Sequence, residues 1–182
     1  MLPFRAKFKY VLNSDNILQI SQQLAKMPLK TAVIDDAGYL LTNTFMRGHS
    51  QGKKGGAVFD LYNEIADSFW TLFKFIKEKL PDDVIVYVMM HEESNDYNVT
   101  KLKTIGKLLD EKVCIEGMVT VCLRCVSDKE GHYFQTQTDG SDITKSPEGM
   151  FEADRIENDL KAVDTAIREY WGLTPENKTT EE

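Results

Sequence analysis

Apolar and polar positions along this chain switch between two spacings, and the switches mark its elements. "FKYVL" (8–12) mixes aromatic and β-branched residues as a strand does. In "SDNILQISQQLAKM", Ile17, Leu18 and Leu24, with Ile20 and Met27, recur at helical spacing; Ser14 can cap that helix and Pro28 ends it. "TAVI" (31–34) is a short apolar strand that runs into Asp35 and Asp36, and Asp36 can itself cap a helix over "AGYLLTNTFM". "GHSQGKKGG" (48–56), with four glycines and two lysines, reads as a flexible loop. From about Ala57 to Leu80, Val58, Tyr62, Ile65, Phe69, Phe73, Ile76 and Leu80 form one long helical stripe, stopped by Pro81. "VIVYVMM" (84–90) is a continuous apolar run, as expected of a strand buried on both faces. "MVTVCLRCV" (118–126) and "HYFQTQT" (132–138) form a hairpin across "SDKEG". A last helix lies within 154–171, with Ile156, Leu160, Val163, Ile167 and Tyr170 on one face and Gly172 as its stop.

Strands alternating with helices predict an α/β fold with a mainly parallel sheet, in which ligands bind at the carboxyl ends of the strands. Two of the three apolar strands end in chemically capable residues, Asp35-Asp36 and His91-Glu92-Glu93. At 182 residues and 42% hydrophobic content, the chain suits one domain over 1–172, with a frayed polar tail over 173–182. The charge balance of −7 gives no global argument for nucleic acid, although a local basic patch would still bind phosphates. No apolar run approaches the ~20 residues of a membrane helix, and "MLPFRAKFKY" has no signal-peptide core. Cys114, Cys122 and Cys125 do not make a disulfide framework, so the expectation is a reducing cytoplasm.

Magnesium prefers hard oxygen ligands and keeps much of its water, so a nucleotide site supplies one or two carboxylates, usually one at a strand tip. A second carboxylate can then orient or deprotonate the attacking water. "AVIDD" has this layout. The same letters also describe a strand followed by an acidic turn.

Longer segments carry a resemblance. "LPFR", "TAVIDDAGYLLTNTFM", "MMHEE", "KLKTIGKLLDEKVCIEGMVTVCL", "YFQTQTDGSDITKSPEGMFE" and "IENDLKAVDTAIREYW" span nearly the whole chain. Together they resemble, in order, the phage RecA-like ATP-binding proteins (AAA-family ATPases) of the single-strand-annealing recombination type. The resemblance implies a RecA-like P-loop NTPase core, a mainly parallel sheet flanked by helices, with a C-terminal β-hairpin and helix. It implies ATP and Mg²⁺ as cofactors, single-stranded DNA as partner, an oligomer, and a phage-encoded protein in the host cytoplasm. Asp35 would be the Walker B magnesium carboxylate, holding the ion largely through water, and Asp36 its acidic neighbour. His91 and Glu92 would face the γ-phosphate. The family's Walker A loop, G-x-x-x-x-G-K-[ST], is not found: in "GHSQGKKGG" the spacing is wrong and Lys54 stands where Ser or Thr is needed. The expectation is a core without its N-terminal strand–loop–helix, completed by a partner or by self-association.

His91 can equally be a polar residue ending a strand, bonded to nearby backbone. Lys101, Lys103, Lys107 and Lys112 admit two readings, a solvated loop or contacts to DNA phosphates or a neighbouring subunit's nucleotide, which Lys103 and Lys107 leave open. Arg47, Lys53 and Lys54 make a second candidate DNA contact. "CLRC", with Cys114 and His132 nearby, looks like half a zinc knuckle. A strand would point Cys122 and Cys125 to opposite faces, so small apolar packing is the preferred reading. Trp70 and Trp171 fit core or interface positions on helices. The rival to an ATPase is a non-catalytic interaction or DNA-binding module that has lost nucleotide hydrolysis; a third reading is an unrelated small-molecule enzyme.

Overall fold

The computed structural model describes residues 14–52 and 54–173. The strand expected at 8–12, Lys53, and residues 174–182 of the expected tail lie outside them. The chain forms two compact units: one holds the residues up to Glu92 together with Leu102–Ile115, the other holds Glu93–Lys101 and the residues from Glu116 onward.

The first unit opens with α1 (Ile17–Lys26). Its cap is Asn16, two residues later than expected: the Asn16 side chain accepts from the Gln19 N–H, and Ser14 instead accepts from the Asn16 N–H. β1 (Thr31–Ile34) follows, then α2 (Gly38–Ser50), α3 (Gly56–Lys79) and β2 (Ile85–Val88). β1 and β2 pair in parallel, Thr31 beside Ile85 through Ile34 beside Val88. The Lys30–Asp83 ion pair at 2.8 Å sits at the entry end of this pair. At the exit end, Met89 N–H donates to Ile34 O, and Ala37 N–H donates back to Met89 O. α3 buries Leu61, Ile65, Ala66, Phe69, Leu72 and Phe73, so the expected stripe holds at Ile65, Phe69 and Phe73 and is widened by Leu61, Ala66 and Leu72. Phe69 is fully buried and meets Phe73 edge-on, with ring centroids 5.3 Å apart. Full burial of side chains this size stabilises by roughly 1.5–3 kcal/mol each.

α2 extends beyond expectation. Gly48–Ser50 are its last turn and not part of a loop, and Gly48 is buried against Leu61 of α3. A Cβ at Gly48 would lie 2.4 Å from Leu61 Cδ2, so glycine is what lets the two helices approach.

The second unit begins with β3 (Glu92–Ser94) and β4 (Thr100–Leu102), paired across a short loop, of which Glu92 and Leu102 belong to the first. β5 (Arg124–Asp128), β6 (Gly131–Gln135) and β7 (Arg155–Glu157) form an antiparallel sheet in that order. The expected hairpin across "SDKEG" is present, but β5 starts at Arg124. The apolar residues before it are partly a 3-10 turn (Ile115–Met118), and Cys122 makes an isolated bridge to Lys145. α4 (Leu160–Tyr170) starts later than its apolar spacing suggests, because Arg155–Glu157 pairs as β7. Asp159 caps it through the Lys161 N–H. At its end Gly172 is left-handed (φ 63°), Leu173 N–H donates to Arg168 O, and Gly172 N–H donates to Glu169 O. That is the glycine-terminated stop expected of this sequence.

The second unit holds a buried polar cluster around Asp142. The Asp142 carboxylate, 1% exposed, accepts from Gln135 Nε2 (2.9 Å) and from the Thr144 N–H (2.9 Å), with Arg124 Nη1 at 3.6 Å. Burial pushes its acidity the wrong way, but hydrogen bonds, the Thr144 N–H first and Gln135 among them, outweigh that and hold it below the ordinary aspartate range.

These sheets overturn the expected RecA-like P-loop core with a mainly parallel sheet. Among the described residues the chain is mixed α/β, with one parallel pair, one two-stranded β3–β4 sheet and one antiparallel three-stranded sheet. The reason lies in strand length. A strand pairs only as far as its neighbour runs, and β1 ends after four residues at Asp35, so only four residues of the apolar run 84–90 pair. All of β2 is half-buried and Val33 is 40% exposed, so this pair is not covered on both faces.

Candidate functional site

A parallel, in-register pair brings the two strand ends to one level, and the chemistry collects there. β1 delivers Asp35 and Asp36, and the chain leaving β2 delivers His91 three residues beyond the last paired position, Val88, with Glu92 next. His91 Nε2 and Asp36 Oδ1 are 3.2 Å apart. The turn between β1 and α2 aims Asp36: its backbone is left-handed (φ 48°), its carbonyl accepts from Tyr39 N–H at 2.9 Å, and Ala37, fully buried, caps α2. Asp36 thus contributes its backbone to the helix start and keeps its carboxylate for His91; it does not cap α2 with its side chain.

Both side chains are well exposed, 70% for His91 and 57% for Asp36, and Asp35 is exposed beside them. An exposed pair of this kind adds little to stability. Its effect is to orient the imidazole against a carboxylate in contact with water.

A third element arrives by a route the sequence does not show. After β3 and β4 the chain returns, and Lys103 N–H donates to His91 O at 2.8 Å. The backbone of Lys103 therefore lies beside His91, and its side chain is exposed. Lys107 is exposed as well, next to a π-helical turn (Leu108–Val113) that ends at Cys114 in a left-handed conformation (φ 53°). Gly106 (φ 89°) seats this segment on α3, where a Cβ would lie 2.9 Å from Tyr62 Cδ1.

The second basic candidate is divided. Arg47 is engaged, pairing with Asp15 and donating to Thr44 Oγ1. Lys54 is exposed, and Lys53 lies outside the described residues. α3 follows α2 in the element order, and among the described residues no strand leads into this glycine-rich segment. Elsewhere, Cys122 is pushed up to about 11, by burial first and then by Glu116, as suits a packed thiol. Cys125 accepts from Asn158 Nδ2 at 3.2 Å. Trp70 is 39% exposed with the Lys74 ammonium 4.9 Å over its ring, and Trp171 is 44% exposed, so neither is a core residue.

Among the described residues, no group of three or more His, Cys, Asp or Glu side chains is placed to hold a metal ion together. The hard oxygens of Asp35 and Asp36 fit a largely hydrated Mg²⁺ held by one carboxylate, which needs no such cage. Sequence reasoning named Asp35, Asp36, His91, Glu92 and Lys103 separately. The left-handed turn and the return of Lys103 to His91 had no sequence signal, since both depend on long-range pairing.

No family model, no curated protein and no solved structure matches this chain. Among the described residues no helix is long and apolar enough to cross a membrane.

Proposed function

We propose that this chain is an ATP-binding, ATPase-type protein of phage DNA recombination or single-strand annealing, carrying the magnesium side of the nucleotide site. The observation that carries the reading is the meeting of Asp36 and His91, at 3.2 Å, where two adjacent parallel strands end. The sequence resemblance supplies the chemistry that this end would serve.

In this reading Asp35 holds Mg²⁺ largely through water, and the ion would neutralise charge on the transferring phosphoryl group. Asp36 accepts a proton from the attacking water, and His91 and Glu92 orient that water. Lys103, beside His91, and Lys107 supply positive charge toward phosphate. Phosphate grip comes from a partner or a second copy, single-stranded DNA is the polymer acted on, and the host cytoplasm is the setting.

Calorimetry with Mg-ATP tests the site. The expected result is Mg²⁺-dependent binding that Asp35→Ala weakens about tenfold, roughly 1.4 kcal/mol. Equal heats from both chains, or none from either, would remove the nucleotide reading.

One observation favours the rival. The glycine- and lysine-rich segment joins two helices and does not follow a strand, so it is not built as a phosphate cradle. A non-catalytic DNA-binding module predicts salt-dependent retention on single-stranded DNA that Lys103→Ala and Lys107→Ala weaken, with no response to Mg-ATP.

A further inference from the structure

The loop after β6 contains the dipeptide Asp139-Gly140, a pair of residues able to rearrange its own backbone. The Gly140 amide nitrogen can attack Cγ of Asp139. A new N–Cγ bond forms, the carboxyl hydroxyl leaves as water with the amide proton, and a five-membered succinimide results. Water then adds at the main-chain carbonyl of Asp139 and breaks its bond to nitrogen. The chain now runs through Cγ as isoaspartate, with no net change in mass and no other reactant.

We infer that Asp139-Gly140 is a latent isoaspartate-forming site, held inert in the folded protein by a latch made of Thr138 and Ser141.

The site is open to the chemistry. Asp139, Gly140 and Ser141 are all exposed, Gly140 has φ 98°, and a Cβ there would meet nothing within 4 Å. Glycine puts no side chain in the path of its own nitrogen.

The latch acts on both reacting groups. Gly140 N–H is donated to Thr138 Oγ1 at 2.9 Å, so the proton that must leave is engaged and the nitrogen's direction is fixed. Thr138 is itself oriented, because its hydroxyl donates to Asp142 O at 2.9 Å. Asp139 Oδ1 accepts from the Ser141 hydroxyl at 2.6 Å and from the Ser141 N–H at 2.9 Å, which turns the carboxyl over Ser141. Those two bonds, the side-chain one first, also hold the Asp139 carboxyl below the ordinary aspartate range. The neutral form, which alone carries the hydroxyl that leaves, is thereby rarer than in an ordinary aspartate. The loop is anchored from outside as well, since Thr100 N–H donates to Ser141 O at 2.8 Å. An extra methylene in the backbone at Asp139 would displace that anchor.

The experiment is incubation of the full chain at neutral pH, with isoaspartate at Asp139 measured by peptide mapping and enzymatic methylation. It is run folded and in urea, for the wild type, Thr138→Val and Ser141→Ala. In urea all three should rearrange at one rate. Folded wild type should be slower than its urea-unfolded counterpart, and each folded variant about fivefold faster than folded wild type, as loss of one hydrogen bond implies. Hydrogen exchange of β5–β6 amides confirms that a variant is folded; if one is not, the other decides. Folded wild type rearranging as fast as the unfolded chain, or a folded variant as slow as wild type, overturns the inference.

Discussion

Gly48→Ala destabilises the first unit by about 1–2 kcal/mol, although alanine is the better helix former. In an exposed helix interior the exchange would stabilise by up to ~1 kcal/mol. Here the added methyl meets Leu61 Cδ2 at 2.4 Å, Cδ1 at 2.7 Å and Cγ at 3.1 Å. Leu61 is 3% exposed and cannot swing aside into solvent, so α2 and α3 must separate or Leu61 must leave its rotamer. Overpacking of this kind costs about 1–3 kcal/mol, more than the propensity gain, which is reduced two residues from the helix end. Urea unfolding measures it. A double-mutant cycle with Leu61→Ala identifies the cause: the combined loss should fall short of the sum by at least ~0.5 kcal/mol, because the truncated leucine makes room for the methyl. Full additivity would sink the explanation.

Asp142→Ala has the larger effect, a loss of about 3–5 kcal/mol in the second unit at neutral pH. The substitution removes the acceptor of Gln135 Nε2 and of the Thr144 N–H, and strips the Arg124 guanidinium of a carboxylate that is 1% exposed. Each buried donor then bears a desolvation cost that its lost hydrogen bond had offset. Asp142→Asn keeps the shape and one acceptor oxygen, and should lose about half as much. The sign of the pH dependence follows from the depressed acidity. The carboxylate's contribution is complete above the ordinary aspartate value of 3.8 and is lost as pH falls through the lower folded value. Asp128 and Asp139 are lowered too, chiefly by the Glu130 backbone N–H and the Ser141 hydroxyl respectively, and add to the acid slope of the wild type. The gap between wild type and Asp142→Asn isolates Asp142 and should narrow as pH falls below 3.8. A gap that stays constant into acid, or an Asp142→Ala chain within 0.5 kcal/mol of wild type, contradicts this account.

The helices were legible wherever one local rule governed them. Ile65, Phe69 and Phe73 mark α3 by spacing alone, and Gly172 marks the end of α4 by its need for a left-handed residue. Gly48 misled because glycine has two uses. Composition suggests a flexible loop, whereas contact with Leu61 shows a packing position inside a helix. Strands were legible as apolar runs, but their partners were not. Arg155–Glu157 has helical company in sequence and pairs with β6 in space; residues 118–123 have strand-like composition but precede the ladder. The parallel-sheet expectation failed for the same reason, since sheet continuity depends on neighbours far along the chain. At the candidate site, the residue types at the two strand ends were readable. The 3.2 Å approach of His91 to Asp36 and the bond from Lys103 to His91 required the register of β1 on β2 and the return through β4.

The left-handed backbone at Asp36 has a consequence for how this protein can vary. Glycine, asparagine and aspartate occupy that conformation at little cost, whereas a β-branched or bulky residue there is a genuine outlier. Within that short list only aspartate brings an anion to His91. Backbone shape and site charge therefore screen position 36 in succession, and a lineage that kept the turn while shedding the anion would reveal itself by drifting to glycine or asparagine there.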